Sequence, residues 1–273
     1  MRFLLAIALL APAAVAEEGG DVQRVHVVEK RPFNEASRFE LSVFGLGQVN
    51  PRFTVHAGIG AELSYHLREN LAAQIGASYN AIAHQSALTE ELAAKVDQQP
   101  LAANALLLQA DVLAGLELMP IYGKISIFGG NVLRLGLYMN AGIGAAKTQL
   151  QLRPADSNGG RTFGDTGFRP EAALGIGTRI FAGDRFTIRI ELRDRLYSAY
   201  VSKVNGCTAQ DAQAIRVNGT SATNLSPGCR PSAFGGTDEE VKSGAGSAAV
   251  QIAQPSSNVI NNLALQGGVS WLF

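Results

Sequence analysis

Residues 53–65 read FTVHAGIGAELSY, and their odd and even positions are chemically different. Phe53, Val55, Ala57, Ile59, Ala61, Leu63 and Tyr65 form one set; Thr54, His56, Gly58, Gly60, Glu62 and Ser64 form the other. Successive side chains of a β-strand point to opposite faces, so this stretch predicts a strand with one apolar and one polar side. A helical period would mix the two sets. The alternation returns at 71–81, where Leu71, Ala73, Ile75, Ala77, Tyr79 and Ala81 oppose Gln74, Gly76, Ser78 and Asn80. Leu67-Arg68-Glu69-Asn70 suits a tight turn between them, and the pair reads as a hairpin.

Outward from this hairpin the pattern recurs. Phe39, Leu41 and Val43 precede it, opposed by Arg38, Glu40 and Ser42. After it, Leu106, Leu108, Ala110, Val112, Ala114 and Leu116 oppose Gln109, Asp111, Gly115 and Glu117. Leu133 to Ile143 alternates with Arg134, Gly136, Tyr138 and Asn140, and Ala172 to Ile180 with Glu171, Gly175, Gly177 and Arg179. Phe186, Ile188, Ile190 and Leu192 face away from Thr187, Arg189, Glu191 and Arg193, and a last strand covers 259–273. Eight strands of about 10–14 residues, at ~3.3 Å per residue and ~40° tilt, cover an apolar band of about 25 Å. Strands of soluble sandwiches are usually about five or six residues.

The expected fold is therefore all-β, an antiparallel transmembrane β-barrel of eight strands, with ten as the alternative count and a soluble lipocalin-like barrel as the rival. The connections support the membrane reading. Short links at 67–70 and 182–185 alternate with long ones at 82–104, 146–167 and 197–258, as bacterial outer-membrane barrels alternate periplasmic turns with surface loops. The stretch 119–131, MPIYGKISIFGGN, is long for a turn; its Ile121, Ile125 and Ile127 could prolong the neighbouring strands or form a small extra hairpin. A helical turn is expected near Glu90-Glu91-Leu92, and 197–258 reads as one long extracellular loop.

Residues 1–16, MRFLLAIALLAPAAVA, fit a cleavable secretory signal ending at Ala14-Val15-Ala16. Residues 17–37 then form an N-terminal periplasmic segment and 38–273 the barrel. No cysteine follows the signal to carry a lipid anchor, and no later run of roughly eighteen apolar residues offers a membrane helix. The 23 bases balance 23 acids, so no basic field points to nucleic acid. Cys207 and Cys229 are the two cysteines; in an exported chain they predict a disulfide rather than a metal site or catalytic thiol.

The inward set comprises Arg38, Glu40, His56, Glu62, Asp111, Glu117, Arg134, Glu171, Arg179, Arg189, Glu191 and Arg193. An eight-stranded barrel has room only for side chains, so these groups are expected to pair with one another. No Gly-x-Ser-x-Gly, HExxH or phosphate-cradling loop is present. His56 and His66 lie too far apart along one strand to share a metal. No catalytic residue and no cofactor is expected.

The final residues, Gln266-Gly267-Gly268-Val269-Ser270-Trp271-Leu272-Phe273, resemble the C-terminal signal read by the outer-membrane barrel-assembly machinery. Gln266, Gly268, Trp271 and Phe273 fill its polar, glycine and two hydrophobic slots. An ordinary interfacial aromatic girdle is the simpler reading of the two aromatics. The expected partners are outer-membrane lipid, the assembly machinery and other envelope proteins.

The runs EKRPFNEASRFELSVFGLGQVNPRFTVHAGIGAELSYHLRENLAAQIGASYN, PIYGKISIFGG, YMNAGIGA and FRPEAALGIGTRIF resemble the outer-membrane β-barrel domain family of myxobacteria and related Deltaproteobacteria. Arg38 to Leu41 and the Ser-Tyr-His-Leu at 64–67 carry most of the likeness. The resemblance spans about Arg31 to Phe273, leaving out the segment between Cys207 and Cys229. It implies a non-enzymatic structural or interaction subunit of an envelope-spanning, gliding-motility-type complex. A narrow pore and a lipid-modifying or proteolytic barrel enzyme are the alternatives.

Overall fold

The computed structural model describes residues 35–51, 53–95, 106–127, 131–154, 160–182, 185–253 and 258–273; the expected signal and most of the segment after it lie outside these residues. Eight antiparallel strands follow one another around a closed ring: β1 (Phe39–Gln48), β2 (Thr54–Arg68), β3 (Leu71–Gln85), β4 (Leu106–Ile127), β5 (Asn131–Arg153), β6 (Thr162–Ala182), β7 (Phe186–Ser198) and β8 (Val259–Leu272). β1 closes the ring on β8, with Leu41 opposite Trp271 and Gly45 opposite Gly267. Closure removes the open edges that a sheet of this length would otherwise expose.

The count is eight, and the uncertain stretch 119–131 is resolved by strand extension. β4 runs on to Ile127 and β5 starts at Asn131, with Ile121 opposite Leu137 and Ile127 opposite Asn131. β4, β5 and β6 are 22, 23 and 21 residues long, whereas the other five strands have 10 to 15. The wall is taller on that side.

The outer face is apolar all round. Ile59, Ile75, Val112, Ile143, Leu174, Ile188 and Val269 are exposed, Ile143 at 74%. A contiguous belt of this kind far exceeds the apolar patches that water-soluble monomers show; its natural solvent is the acyl region of a bilayer. Near the strand ends that hold the short turns, Phe39 lies 4.9 Å from Tyr65 and 6.1 Å from Phe273, and Trp271 lies 5.6 Å from Phe273, centroid to centroid. Such aromatics suit the interface between acyl chains and headgroups. Among the described residues no helix is long and apolar enough to cross a membrane.

Two expectations need correction. Leu106 and Leu108, placed by parity on the lipid face, are buried at 5% and 1%; a bulge between Leu108 and Ala110 shifts the phase of β4 and turns them inward. The stretch 197–258 is not a simple loop. Its described residues 199–253 fold into a cap containing α2 (Ala209–Asn218), 3-10 turns at Gly219–Ser221 and Pro231–Phe234, and α3 (Asp238–Ala253). The helical turn expected near Glu90 is a longer helix, α1 (Ala87–Lys95).

The cap helices have local causes. Thr208 caps α2 through a reciprocal box with Asp211, and Asp238, Glu239 and Glu240 oppose the positive end of the α3 dipole. Ile215, Phe234, Val241, Ala245 and Ala248 of the cap form one core with Leu106, Leu150, Leu152, Tyr197 and Ile260 of the barrel. The cap therefore packs on the inner face of the wall at its long-loop end.

Candidate functional site

The inward face of β5 shows how the lumen is layered. Tyr138 and Asn140 point into a charged zone, and two turns of the pleat higher the same face carries Ala146, Leu150 and Leu152 against the cap. The charged zone begins at the short-turn mouth. Glu35, from the segment before β1, places Oε1 3.2 Å from Arg179 Nη1 and Oε2 3.7 Å from His66 Nδ1. Burial pushes the Glu35 carboxyl up, against the pull of Arg179 and His66. His66 Nε2 lies 2.8 Å from Glu40 Oε2, and Arg179 Nη2 bridges Glu40 at 3.2 Å and Glu117 at 2.6 Å.

In the middle layer, Arg189 Nη2 meets Glu117 Oε2 at 2.5 Å and its Nη1 lies 3.4 Å from Glu62. Its guanidinium stacks 4.7 Å from the Tyr138 ring centre, and the Tyr138 hydroxyl donates to Glu191 at 2.9 Å. Arg193 joins Glu62, at 3.0 Å, to Glu191. Above them Arg195 Nε lies 3.1 Å from Asp111, which also accepts from the Ser78 hydroxyl at 2.5 Å. Turned so that its amide oxygen faces Arg195, Gln266 accepts from Nη1 at 3.2 Å and Nη2 at 2.9 Å.

Seven buried carboxyls, those of Glu35, Glu40, Glu62, Asp111, Glu117, Glu171 and Glu191, thus face four guanidinium groups, those of Arg179, Arg189, Arg193 and Arg195. The cavity bounded by Ser42, Glu62, Tyr138, Arg189 and Gln266 has a volume of about 10 Å³. That is room for about one water. Side chains fill the lumen here and the cap fills it above.

The expected inward residues mostly meet in this lattice: Glu40, Glu62, Asp111, Glu117, Glu171, Arg179, Arg189, Glu191 and Arg193 are all buried. Arg38 is a correction. It is exposed, because it precedes β1, where the Glu35–Arg38 turn at the mouth breaks the alternation. Arg134 is a second. It is half-buried on β5 opposite Lys124 and Phe181, beyond the charged layers, because the wall extends past them on that side. Two members were missed. Arg195 continues the phase of Arg189, Glu191 and Arg193, so its signal was present; Glu35 lies before any alternating stretch and gave none.

No arrangement for nucleophilic catalysis stands out among the described residues. Both ring nitrogens of His66 face glutamates. His56, at the other end of β2, accepts from the Leu108 amide at Nε2 (3.0 Å), so its Nδ1 carries the proton donated to Gln48 Oε1 at 2.8 Å. No group of three or more potential ligands is placed to hold a metal, among the same residues. Cys207 and Cys229 form a disulfide with Cα atoms 4.7 Å apart, tying the start of the cap to the turn before Pro231. Gln266 and Gly268 face inward, Trp271 and Phe273 outward. Gly268 has a packing reason: a Cβ there would lie 2.2 Å from the Val43 carbonyl oxygen.

No family model matches the chain. No curated protein matches it either. Solved structures with a similar course are the N-terminal β-barrel domain of Pseudomonas aeruginosa OprF, at 10% identity and TM-score 0.39, covering 87% of this chain and 98% of that one. Neisserial surface protein A gives 10% and 0.38 over 86% and 97%, and Ail, the attachment invasion locus protein of Yersinia pestis, solved with the heparin analogue sucrose octasulfate, gives 9% and 0.32 over 86% and 97%. Likenesses this weak carry no functional inference. The fold rests on the closed ladder of this chain's own strands.

Proposed function

We propose that this chain is a non-enzymatic bacterial outer-membrane barrel that holds a folded, disulfide-braced cap at the cell surface, as a structural or interaction subunit of an envelope complex. The observation that carries the reading is the filled lumen. A solute path would need a hydrated column, whereas Arg179, Arg189 and Arg193 are locked between glutamates and the cap core plugs the upper end. Burying that many charges is worth little for stability unless every partner is kept. The arrangement suits a rigid plug better than a pore.

In this reading the short turns face the periplasm and the cap faces outward. Gln266, Gly268, Trp271 and Phe273 serve as the assembly signal, and the candidate complex is the gliding-motility-type apparatus, supported by the sequence resemblance alone. Planar-bilayer recording of the purified full chain tests the core of the proposal. The expected result is no ohmic conductance at neutral pH; steady open-channel steps would overturn it in favour of a pore.

A further inference from the structure

Arg169 differs from every arginine of the charged lattice. It is 7% exposed, on the inward face of β6. Arg179, Arg189, Arg193 and Arg195 each face at least two carboxylates. Among the described residues Arg169 pairs with none. Its Nη2 donates to the Thr166 carbonyl at 3.0 Å and its Nε to Thr148 Oγ1 at 3.4 Å.

The backbone is shaped to make this niche. Gly167 takes φ 82°, and the β5–β6 register shifts between Thr148 and Gln149. The bulge brings Thr166 to the same inward side as Arg169, so that Thr148 Oγ1 lies 2.7 Å from Thr166 Oγ1. A side chain at Gly167 would be strained by that φ. On the outward face at this height stand Phe168 and Lys147, cross-strand partners, where apolar surface gives way to charge.

A buried cation without a counter-charge is costly, and a planar guanidinium flanked by hydroxyls is matched in shape and charge by a tetrahedral oxyanion. We propose that Arg169, Thr148 and Thr166 form a phosphate-binding niche beneath the rim of the cap. The phosphate group supplies the missing negative charge. The group can come from inorganic phosphate or from a phosphorylated lipid headgroup, the same chemistry from two sources.

The test compares the full-length protein with Arg169→Met and Arg169→Lys, following the unfolding midpoint in detergent in inorganic phosphate against chloride of equal ionic strength. The niche predicts that phosphate raises the midpoint of the native protein and of Arg169→Lys less strongly, and leaves Arg169→Met unmoved. It also predicts that Arg169→Met is no less stable than the native chain in chloride, since it removes an unpaired buried charge. A purely structural arginine predicts the reverse: Arg169→Met falls in chloride, and phosphate acts on both proteins alike or on neither. Either of those results overturns the proposal. A second arm places native protein and Arg169→Met in nanodiscs with and without a phosphorylated glycolipid. Arg169-dependent stabilisation there assigns the headgroup as the source, and stabilisation by inorganic phosphate alone assigns the dissolved ion.

Discussion

Arg179 of β6 places Nη2 2.6 Å from Glu117 Oε1 of β4, although β5 stands between those strands in the wall. The contact passes over the inner face of β5, and the same guanidinium also holds Glu35 and Glu40. Arg179→Met would leave three carboxyls crowded without it. Breaking a buried pair from one side costs about 3–5 kcal/mol, so unfolding in urea from lipid vesicles should shift by that order. Arg179→Met combined with Glu117→Gln should recover part of the loss, and an unchanged midpoint in the single variant would show the lattice to be ornamental.

The outer belt gives a contrasting expectation. Ile188 is exposed on β7 and its neighbour Arg189 is buried beneath it. Ile188→Arg near the middle of the membrane should cost about 2–4 kcal/mol. Cysteines at Leu63, Ile75, Leu137 or Ile188 should react with lipid-phase probes, and those at Glu62, Gln74, Tyr138 or Arg189 should not. Equal labelling of both sets would remove the assignment of faces.

How much of this was legible follows from where the side chains look. Alternation marks a strand whose two faces meet different media, and Ile59 to Tyr65 or Ile188 to Arg193 meet apolar surroundings outside and charge inside. The signal fails where the medium changes. Leu106 and Leu108 sit above the charged zone, so inward positions there are apolar, and the bulge before Ala110 reverses their parity. α3 was hidden for another reason: Gly244, Ala245, Ser247, Ala248 and Ala249 are all buried, and a helix of small residues enclosed on several sides shows no single apolar stripe.

At the opposite end of the barrel, Trp271 and Phe273 form a cluster with Phe39. Replacing Trp271 and Phe273 together by Ser should leave export intact while slowing insertion, with protein accumulating in the periplasm. Normal outer-membrane levels would reduce the pair to girdle residues.

Acid should loosen the cap before the barrel. Against a burial penalty, hydrogen bonds from Ser226 and Thr208 hold the Asp211 carboxyl down at about 2, and Arg153, with the Gly236 and Thr237 amides, holds Glu240 at about 2. Both values lie below those of the unfolded chain, about 4. The stabilisation is therefore complete above that range and is lost as pH falls from about 4.5 towards 2. Hydrogen exchange of α2 and α3 should rise across that window while the strand amides stay protected. Loss of protection in strands and cap together would mean that they unfold as one unit.

The disulfide should matter to the cap and not to the wall. Cys207 and Cys229 are 22 positions apart, and closing a loop of that size removes roughly 3 kcal/mol of unfolded-state freedom. Both sulfurs lie in the core shared by Ile215, Phe234 and Val241, so Cys207→Ser with Cys229→Ser also puts hydroxyls into an apolar site. The barrel's ladders do not pass through either residue. The double variant should insert normally and keep the heat-modifiable migration of a folded barrel, yet become sensitive to added protease between Val201 and Gln251 on intact cells, and lose any partner that binds the cap. Cleavage seen only after the outer membrane is permeabilised would place the cap in the periplasm and invert the topology.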